Sequence, residues 1–538
     1  MPNVPNTIEG KVHTVNTYIL KLNQNQSEMG NYMDMNPEDF NQAGHELVDR
    51  ITKFLEDLPN KKVTKAKSPS EIRELLKDHS LPMSGQNVNS IIGNCAEFFF
   101  ENSLFNGHPR FWGYITSSAA PIGALADLLA ASVNANVGAF ALSPVATEIE
   151  RQSVRWLAEL IGYPVDCGGL FVSGGNMANF LGFLAARKNK IPGDIRKEGL
   201  PSNVPESTFS FSKKDRIASS VNGKRMFTVY CAKGTHTWVQ KATDLFGLGT
   251  NAIRWIDVTE DQQMDLEELT LQIDQDIDDG NYPFLVVGNA GTVSTGTVDR
   301  LREMSLICKN RNLWFHVDGA YGAPAACLPE NTVLFDGLSE ADSIALDPHK
   351  WLYSPLEAGC VMVRDAVHLR EAFSYTPDYY NFEGDESERP VNFHEYGLQN
   401  SRGFRALKVW MSLRQTGRQG ITEMIRKDIH LAKSLYEMVS QTSELEAVSH
   451  HLSITTFRYV PADLSRQDQT EFLNNLNELL VDRLQGGGEV FLSNALISGL
   501  YCLRVCIVNF RTQKSDLEAL IQIVLKEGRD VYQSMPLE

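Results

Sequence analysis

Asp342-Ser343-Ile344-Ala345-Leu346-Asp347-Pro348-His349-Lys350-Trp351 decides the fold. Ser343 to Leu346 is a short, mostly apolar run with turn signals on both sides, the pattern of a strand buried on both faces. A lysine follows, between a histidine and a tryptophan. Five more runs of this kind are spaced along residues 110–400: Gly169–Val172, Met226–Cys231, Phe284–Gly288, Leu313–Val317 and Gly359–Arg364. Helical segments separate them. This alternation predicts βαβ units and an α/β chain with a mainly parallel central sheet. Ligands on such sheets bind beyond the carboxyl ends of the strands. The residues just after these runs are therefore the ones to weigh.

Length and charge set the outer limits. At ~150 residues per domain, 538 residues predict two to four domains. The formal net charge of −17 repels phosphate backbones and anionic membrane surfaces. No local basic patch offsets it, so neither nucleic acid nor membrane is an expected partner. The eight cysteines include no Cys-x-x-Cys pair. Cys502 and Cys506 sit among Leu503, Val505, Ile507 and Val508, which reads as two buried thiols in a strand rather than half a zinc site. No metal is expected. Met1 to Gly10 lacks a basic and then apolar leader, and no apolar run reaches the ~18 residues of a membrane span. The expectation is a soluble protein of the reducing cytoplasm.

Residues 1–35 are polar and aperiodic and read as a loosely held extension. Residues 36–115 read as helical. Asn36-Pro37-Glu38-Asp39 and Ser68-Pro69-Ser70-Glu71 are helix starts, the second with capping-box spacing. This segment is too short to bury its apolar face alone and is expected to pack on a partner subunit. Residues 116–405 form the large domain, with a mobile loop at about 375–395 that is rich in Tyr, Asp, Glu and Pro. A helix begins beyond Arg405. Residues 406–538 read as an α+β small domain with strands Ser453–Tyr459 and Leu503–Phe510, helix Ser515–Leu525 and a turn at Gly486–Gly488.

Four segments end predicted strands and carry the chemistry. Val172-Ser173-Gly174-Gly175-Asn176-Met177-Ala178-Asn179 passes from strand through a glycine turn into a helix, a geometry that cradles an anion; taken alone, it is a plain tight turn. It lacks the Lys-Ser/Thr of a Walker A loop and the Gly-x-Gly-x-x-Gly of a dinucleotide site. Gly234-Thr235-His236-Thr237-Trp238 offers a flat imidazole that can stack on a ring or move protons; a lone histidine is more often a surface residue. His316-Val317-Asp318-Gly319-Ala320-Tyr321 puts a carboxylate at the end of a buried strand, where it wants a cationic partner such as a protonated heterocycle nitrogen. A helix N-cap is the rival reading. Lys350 can act as an amine nucleophile toward an aldehyde; its rival is a snorkelling surface lysine. Together an anion cradle, a stacking imidazole, a buried carboxylate and an imine-forming lysine match the needs of pyridoxal phosphate.

On these residues the chain resembles the group II pyridoxal-phosphate decarboxylases, the family of aromatic-L-amino-acid and glutamate decarboxylases. The resemblance runs from about residue 36 to the C-terminus. Asp347-Pro348-His349-Lys350-Trp351 is its most specific stretch. Gly107-His108-Pro109-Arg110-Phe111, Ser143-Pro144 through Glu148, and Gly403-Phe404-Arg405 support it. It implies the aspartate-aminotransferase-type fold (fold type I), a homodimer with shared active sites, and α-decarboxylation of an L-amino acid. It implies that Lys350 forms the Schiff base, Asp318 meets the ring nitrogen, and His236 and Ala320 cover the two ring faces. Gly175, Asn176 and His349 fall in the cofactor-binding set, Tyr114 and Ser117 in the stretch that meets substrate.

Three positions depart from the family pattern. Asp347 replaces an Asn of many relatives; a carboxylate beside a phosphate is unfavourable, so Asp347 is expected to point elsewhere. The loop tyrosine that delivers the proton to Cα aligns on or near Phe393, with Tyr379, Tyr380 and Tyr396 close by. Without that donor, reaction with oxygen to an aldehyde is the alternative outcome. Phe111, Trp112 and Tyr114 point to an aromatic substrate, whereas Arg110 fits an acidic one; a diamino acid also stays open. A cofactor-free scaffold, and an aminotransferase or another lyase of the same fold, are further rival readings.

Overall fold

The six strands predicted between residues 110 and 400 lie in one seven-stranded sheet, and helices on both of its faces bury nearly every strand residue. The structure, a computed structural model, describes residues 33–77, 80–200, 226–375, 390–464 and 469–535. Residues 1–32 of the expected extension and 376–389 of the expected loop lie outside these. The chain divides into two compact units, the described part of Met1–Leu58 with Ser68–Ser103, and Pro59–Lys67 with Leu104–Glu538.

The first unit holds α1 (Pro37–Asp57), α2 (Pro69–Leu76) and α3 (Val88–Asn102). Both helix starts behave as their residue types dictate. The Asn36 side chain accepts from the Asp39 N–H, and Ser68 and Glu71 complete a capping box. The Phe54 and Phe100 rings stack at 4.4 Å. Ala43 and Ala96 are buried, yet Phe40, Ile91 and Phe99 stay exposed.

The second unit begins with α4 (Pro121–Val133) and α5 (Pro144–Ile161). It continues through β1 (Gly168–Val172), α6 (Gly175–Lys190), β2 (Phe227–Ala232), α7 (Trp238–Leu245), β3 (Ile253–Ile256), α8 (Leu266–Asp278), β4 (Tyr282–Asn289), α9 (Leu301–Asn310), β5 (Trp314–Asp318), β6 (Ser343–Leu346), β7 (Gly359–Val363) and α10 (Ala366–Phe373). The strand order is β1-β7-β6-β5-β4-β2-β3. β3, β2, β4, β5 and β6 are parallel, and β7 runs antiparallel to both β6 and β1. The period of two sends Phe315 and Val317 into one core layer and Trp314 into the other, where α6 packs. His316 and Asp318 share the Trp314 face.

The long helix α11 (Ala406–Ser440), kinked at Gly417, leads to β8 (Leu445–His451), β9 (Ile454–Tyr459), α12 (Thr470–Gly487), β10 (Ser493–Ile497), β11 (Leu500–Cys506) and α13 (Lys514–Ser534). These four strands form a separate antiparallel sheet in the order β10-β11-β9-β8. The expected α/β chain with an α+β C-terminal part is therefore observed. The expected turn at Gly486–Gly488 is corrected: Gly486 and Gly487 close α12, and only Gly488, at φ 77°, leaves it in the left-handed conformation that glycine tolerates. β3, β8 and β10 had no predicted counterpart. Cys502 and Cys506 are both buried in β11. No helix among the described residues is long and apolar enough to cross a membrane.

Candidate active site

The carboxyl ends of β1, β2, β4, β5 and β6 share one edge of the large sheet, since two antiparallel steps through β7 restore the direction of β1. A cavity of about 990 Å³ opens there. Lys350, His236, Asp318, Gly175, Asn176, Ala320, His349 and Tyr114 all line it. Ser117 does not. It is buried behind the wall, and its Oγ donates to the His349 carbonyl at 2.9 Å. A cavity of about 1070 Å³ elsewhere in this unit is lined by Phe393 and Tyr396 among others, so neither of these reaches the Lys350 cavity. Tyr379 and Tyr380 lie outside the described residues.

Each wall follows from its strand end. After β1 the Ser173-Gly174-Gly175 turn opens α6, and no side chain caps that helix. Its first N–H groups are left for another acceptor. A Cβ on Gly175 would stand 2.5 Å from Asp347 Oδ2, so only glycine lets the turn come this close. After β6, Lys350 Nζ lies 3.0 Å from Asp347 Oδ2, and His349 Nε2 lies 3.7 Å from the same oxygen. Asp347 is 1% exposed, and its Oδ1 has no hydrogen-bond partner. The expectation that Asp347 points elsewhere is corrected: its carboxylate faces the glycine turn.

Asp318 closes β5, beside Asn289 of β4 and Ala345 of β6. Its Oδ2 accepts from Trp238 Nε1 at 2.8 Å and Asn179 Nδ2 at 3.2 Å, and its Oδ1 accepts from the Ala320 N–H at 3.2 Å. The helix-cap reading of Asp318 fails, because Ala320 is not in a regular helix. His236 is open to the cavity. Its Nδ1 accepts from the Trp238 N–H at 3.2 Å, so its neutral ring carries the proton on Nε2. Desolvation by the walls lowers its pKa, while Asp318 pulls it up and Lys350 pushes it down.

The aromatic residues expected to meet substrate divide. Phe111 stacks on Phe491 at 5.4 Å, and buried Trp112 donates to Thr512 Oγ1. Both are packing. Arg110 pairs with Asp516 and does not line the cavity. Tyr114 does, 59% exposed and at φ 52°. Its backbone is pinned by Ser493 Oγ, which accepts from its N–H, and by Arg504 Nη2, which donates to its carbonyl at 2.9 Å. Sequence reasoning missed Arg504. This guanidinium, in the middle of β11, is buried, lines the cavity, and leaves its Nε without a partner. Desolvation lowers its pKa. A lone arginine inside the apolar run Leu503–Val508 was the available signal.

The donor set fits pyridoxal phosphate. The uncapped start of α6 suits its phosphate, Lys350 its aldehyde, Asp318 its ring nitrogen, and His236 and Ala320 its flat ring. The chain matches the pyridoxal-dependent decarboxylase conserved domain over residues 69–460. It is 31% identical to an aromatic-L-amino-acid decarboxylase of Bacillus atrophaeus, over 93% of this chain and 96% of the relative. It is 26% identical to a phenylacetaldehyde synthase of Arabidopsis thaliana, over 92% and 96% of the two chains. The crystal structure of Oryza sativa TDC with PLP and tryptamine shares its fold, with a TM-score of 0.82, 24% identity, and coverage of 93% of this chain and 99% of that one. This chain therefore belongs to the pyridoxal-dependent decarboxylases, carboxy-lyases of amino acid metabolism that work with pyridoxal phosphate.

Proposed function

We propose that this chain removes the α-carboxylate of an aromatic L-amino acid, releasing carbon dioxide and an amine. The observation that carries this reading is the convergence of Lys350, Asp318, His236 and the Gly175 turn on one cavity. Pyridoxal phosphate, when bound, supplies the electron sink for the pair left behind as carbon dioxide departs. The remaining work falls to the protein. The N–H groups at Gly175 and Asn176 hold the phosphate, with His349 beside them. Lys350, which lines the cavity, would hold the aldehyde of the cofactor through Nζ. Asp318 would accept from the ring N–H and favour the charged form of that nitrogen. His236 and Ala320 fix the ring plane.

Arg504 meets the substrate carboxylate, since it is a cationic residue of the cavity wall and its buried Nε lacks an acceptor. Tyr114, Phe180, Leu245, Val293 and Leu356 give the cavity an apolar stretch for an aromatic side chain. The pairing of Arg110 with Asp516 speaks against an acidic substrate. The names of the Bacillus and Arabidopsis relatives agree with an aromatic one.

A second reading rests on the synthase relative and on the absence of Phe393 and Tyr396 from the cavity wall. If no donor protonates Cα, molecular oxygen takes the electron pair. One amino acid, one oxygen and one water then give one aldehyde, carbon dioxide, ammonia and hydrogen peroxide. Incubating purified holoenzyme with single L-amino acids, and measuring carbon dioxide, amine, aldehyde and peroxide, separates the two. Amine without peroxide supports the first reading. Equal aldehyde and peroxide support the second. Transamination without carbon dioxide release overturns both.

The proposal extends to assembly. Residues 36–115 pack on a partner subunit, 116–405 form the cofactor domain, 406–538 form the small domain, and two copies share their sites. The exposed apolar side chains of α1 and α3, and of α4, support this. The cytoplasm is the proposed compartment, in keeping with eight unpaired cysteines.

A further inference from the structure

Behind Asp318 lies a buried chain of hydrogen bonds that the reading above does not use. Asn179 Nδ2 donates to Asp318 Oδ2 at 3.2 Å. Asn179 Oδ1 lies 2.7 Å from His316 Nε2, and His316 Nδ1 lies 2.7 Å from Ser343 Oγ. Trp314 Nε1 donates to the same Ser343 oxygen at 2.8 Å. Asn179 is 2% exposed, and His316 and Ser343 are fully buried. The chain joins α6, β5 and β6, the three elements that carry the anion cradle, the carboxylate and the lysine.

Its polarity follows from the donor inventory. A carboxylate only accepts, so Asn179 must turn its NH₂ toward Asp318 and its oxygen toward His316. His316 Nε2 must then carry the ring proton. A neutral ring leaves Nδ1 bare, and Ser343 donates its hydroxyl proton there while accepting from Trp314. Burial supports the neutral ring: desolvation lowers the His316 pKa to about 4, with Asp318 pulling weakly the other way. The space is built for it. A Cβ on Gly182 of α6 would stand 2.7 Å from His316 Cε1, and the Trp238 ring packs edge-on against the imidazole at 5.6 Å.

We propose that His316 and Asn179 are positioning residues: the neutral imidazole orients the Asn179 amide so that it and Trp238 engage Asp318 Oδ2, and Oδ1, which accepts from the Ala320 N–H, keeps its second lone pair for the cofactor ring nitrogen. This rests on the assignment of Asp318 made above. The device acts on cofactor electronics and retention, not on substrate contact.

The test compares wild-type holoenzyme with His316→Leu, which fills space without donating, and His316→Gln, whose amide can still donate to Asn179. His316→Leu is expected to raise the pyridoxal phosphate dissociation constant about tenfold, the effect of one lost buried hydrogen bond. It should also shift the visible absorbance band of the bound cofactor and lower kcat with little change in KM. His316→Gln is expected to restore all three. Equal damage from both variants, or an unchanged dissociation constant and spectrum in His316→Leu, overturns the proposal. Should His316→Leu not fold, NMR of nitrogen-labelled histidine in the wild type decides. A neutral ring protonated on Nε2 from about pH 6 to pH 8 supports it, and a proton on Nδ1 overturns it. Failure of the wild type to bind pyridoxal phosphate would sink the parent assignment instead, and the tautomer measurement would still stand apart from it.

Discussion

Asp347 puts negative charge where the anion cradle wants positive charge. Its Oδ2 faces the Gly175 turn and holds Lys350 Nζ at 3.0 Å. A carboxylate there repels a phosphate. Asp347→Asn is therefore expected to tighten pyridoxal phosphate binding and speed its capture by apoenzyme, read as the rise of visible absorbance after mixing. Slower capture in the variant would mean that Asp347 assists loading. Lys350→Ala should abolish both the visible band and turnover; an unchanged spectrum would remove Lys350 from the mechanism. Asp318→Ala should keep weak cofactor binding with little rate, and wild-type turnover in that variant would refute its role. At this scale the sequence was legible where a cavity-lining residue ends a strand or stands just beyond one, as Asp318 and Lys350 do. Asn179 and Arg504 were not, because one lies a turn inside a helix and the other in mid-strand. Only the third dimension brings them to the wall.

At the scale of elements, the turn that carries Lys350 is anchored to α11. Trp351 Nε1 and Tyr353 Oη both donate to Asp428 Oδ2, at 3.1 and 2.6 Å. Burial pushes the Asp428 carboxyl up to about 7, against the lowering pull of those hydrogen bonds. Its unfolded value is near the usual aspartate range, so between about pH 4 and pH 7 the folded state holds the extra proton. Stability then falls as pH rises through that window, and the loss is complete above it. Asp428→Asn keeps an acceptor for both donors and carries no charge. Relative to the wild type it should gain up to about 3 kcal/mol between pH 5 and pH 8 in denaturant titrations. Parallel stability curves for the two proteins would show that the carboxyl titrates normally. Elements were readable where an apolar run was bounded by turn residues: β6 matches its predicted span, and β1 and β7 differ by one residue. β3 escaped because four residues that include Arg254 show neither alternation nor an apolar run. β8 escaped because all its residues after Leu445 are only half buried.

At the scale of the molecule, the described residues leave apolar surface exposed. Leu125, Leu128, Leu129 and Val133 project from α4 with 51–68% of their surface exposed, while the buried Gly123 and Ala126 lie on its inner side. Covering each such side chain contributes about 1 kcal/mol, and a twofold interface counts every one twice. The net charge of −17 opposes close approach of two copies, so the apolar face must outweigh a repulsion that salt weakens. The wild type should scatter light as a dimer at micromolar concentration, more firmly at high salt. Leu128→Glu with Leu129→Glu should give monomers that lose most turnover if the sites are shared. A variant that stays dimeric would move the interface to another face. A fully active monomer would mean that each chain builds its site alone, and residues 36–115 would then need a different reason to leave Phe40 and Phe99 in water.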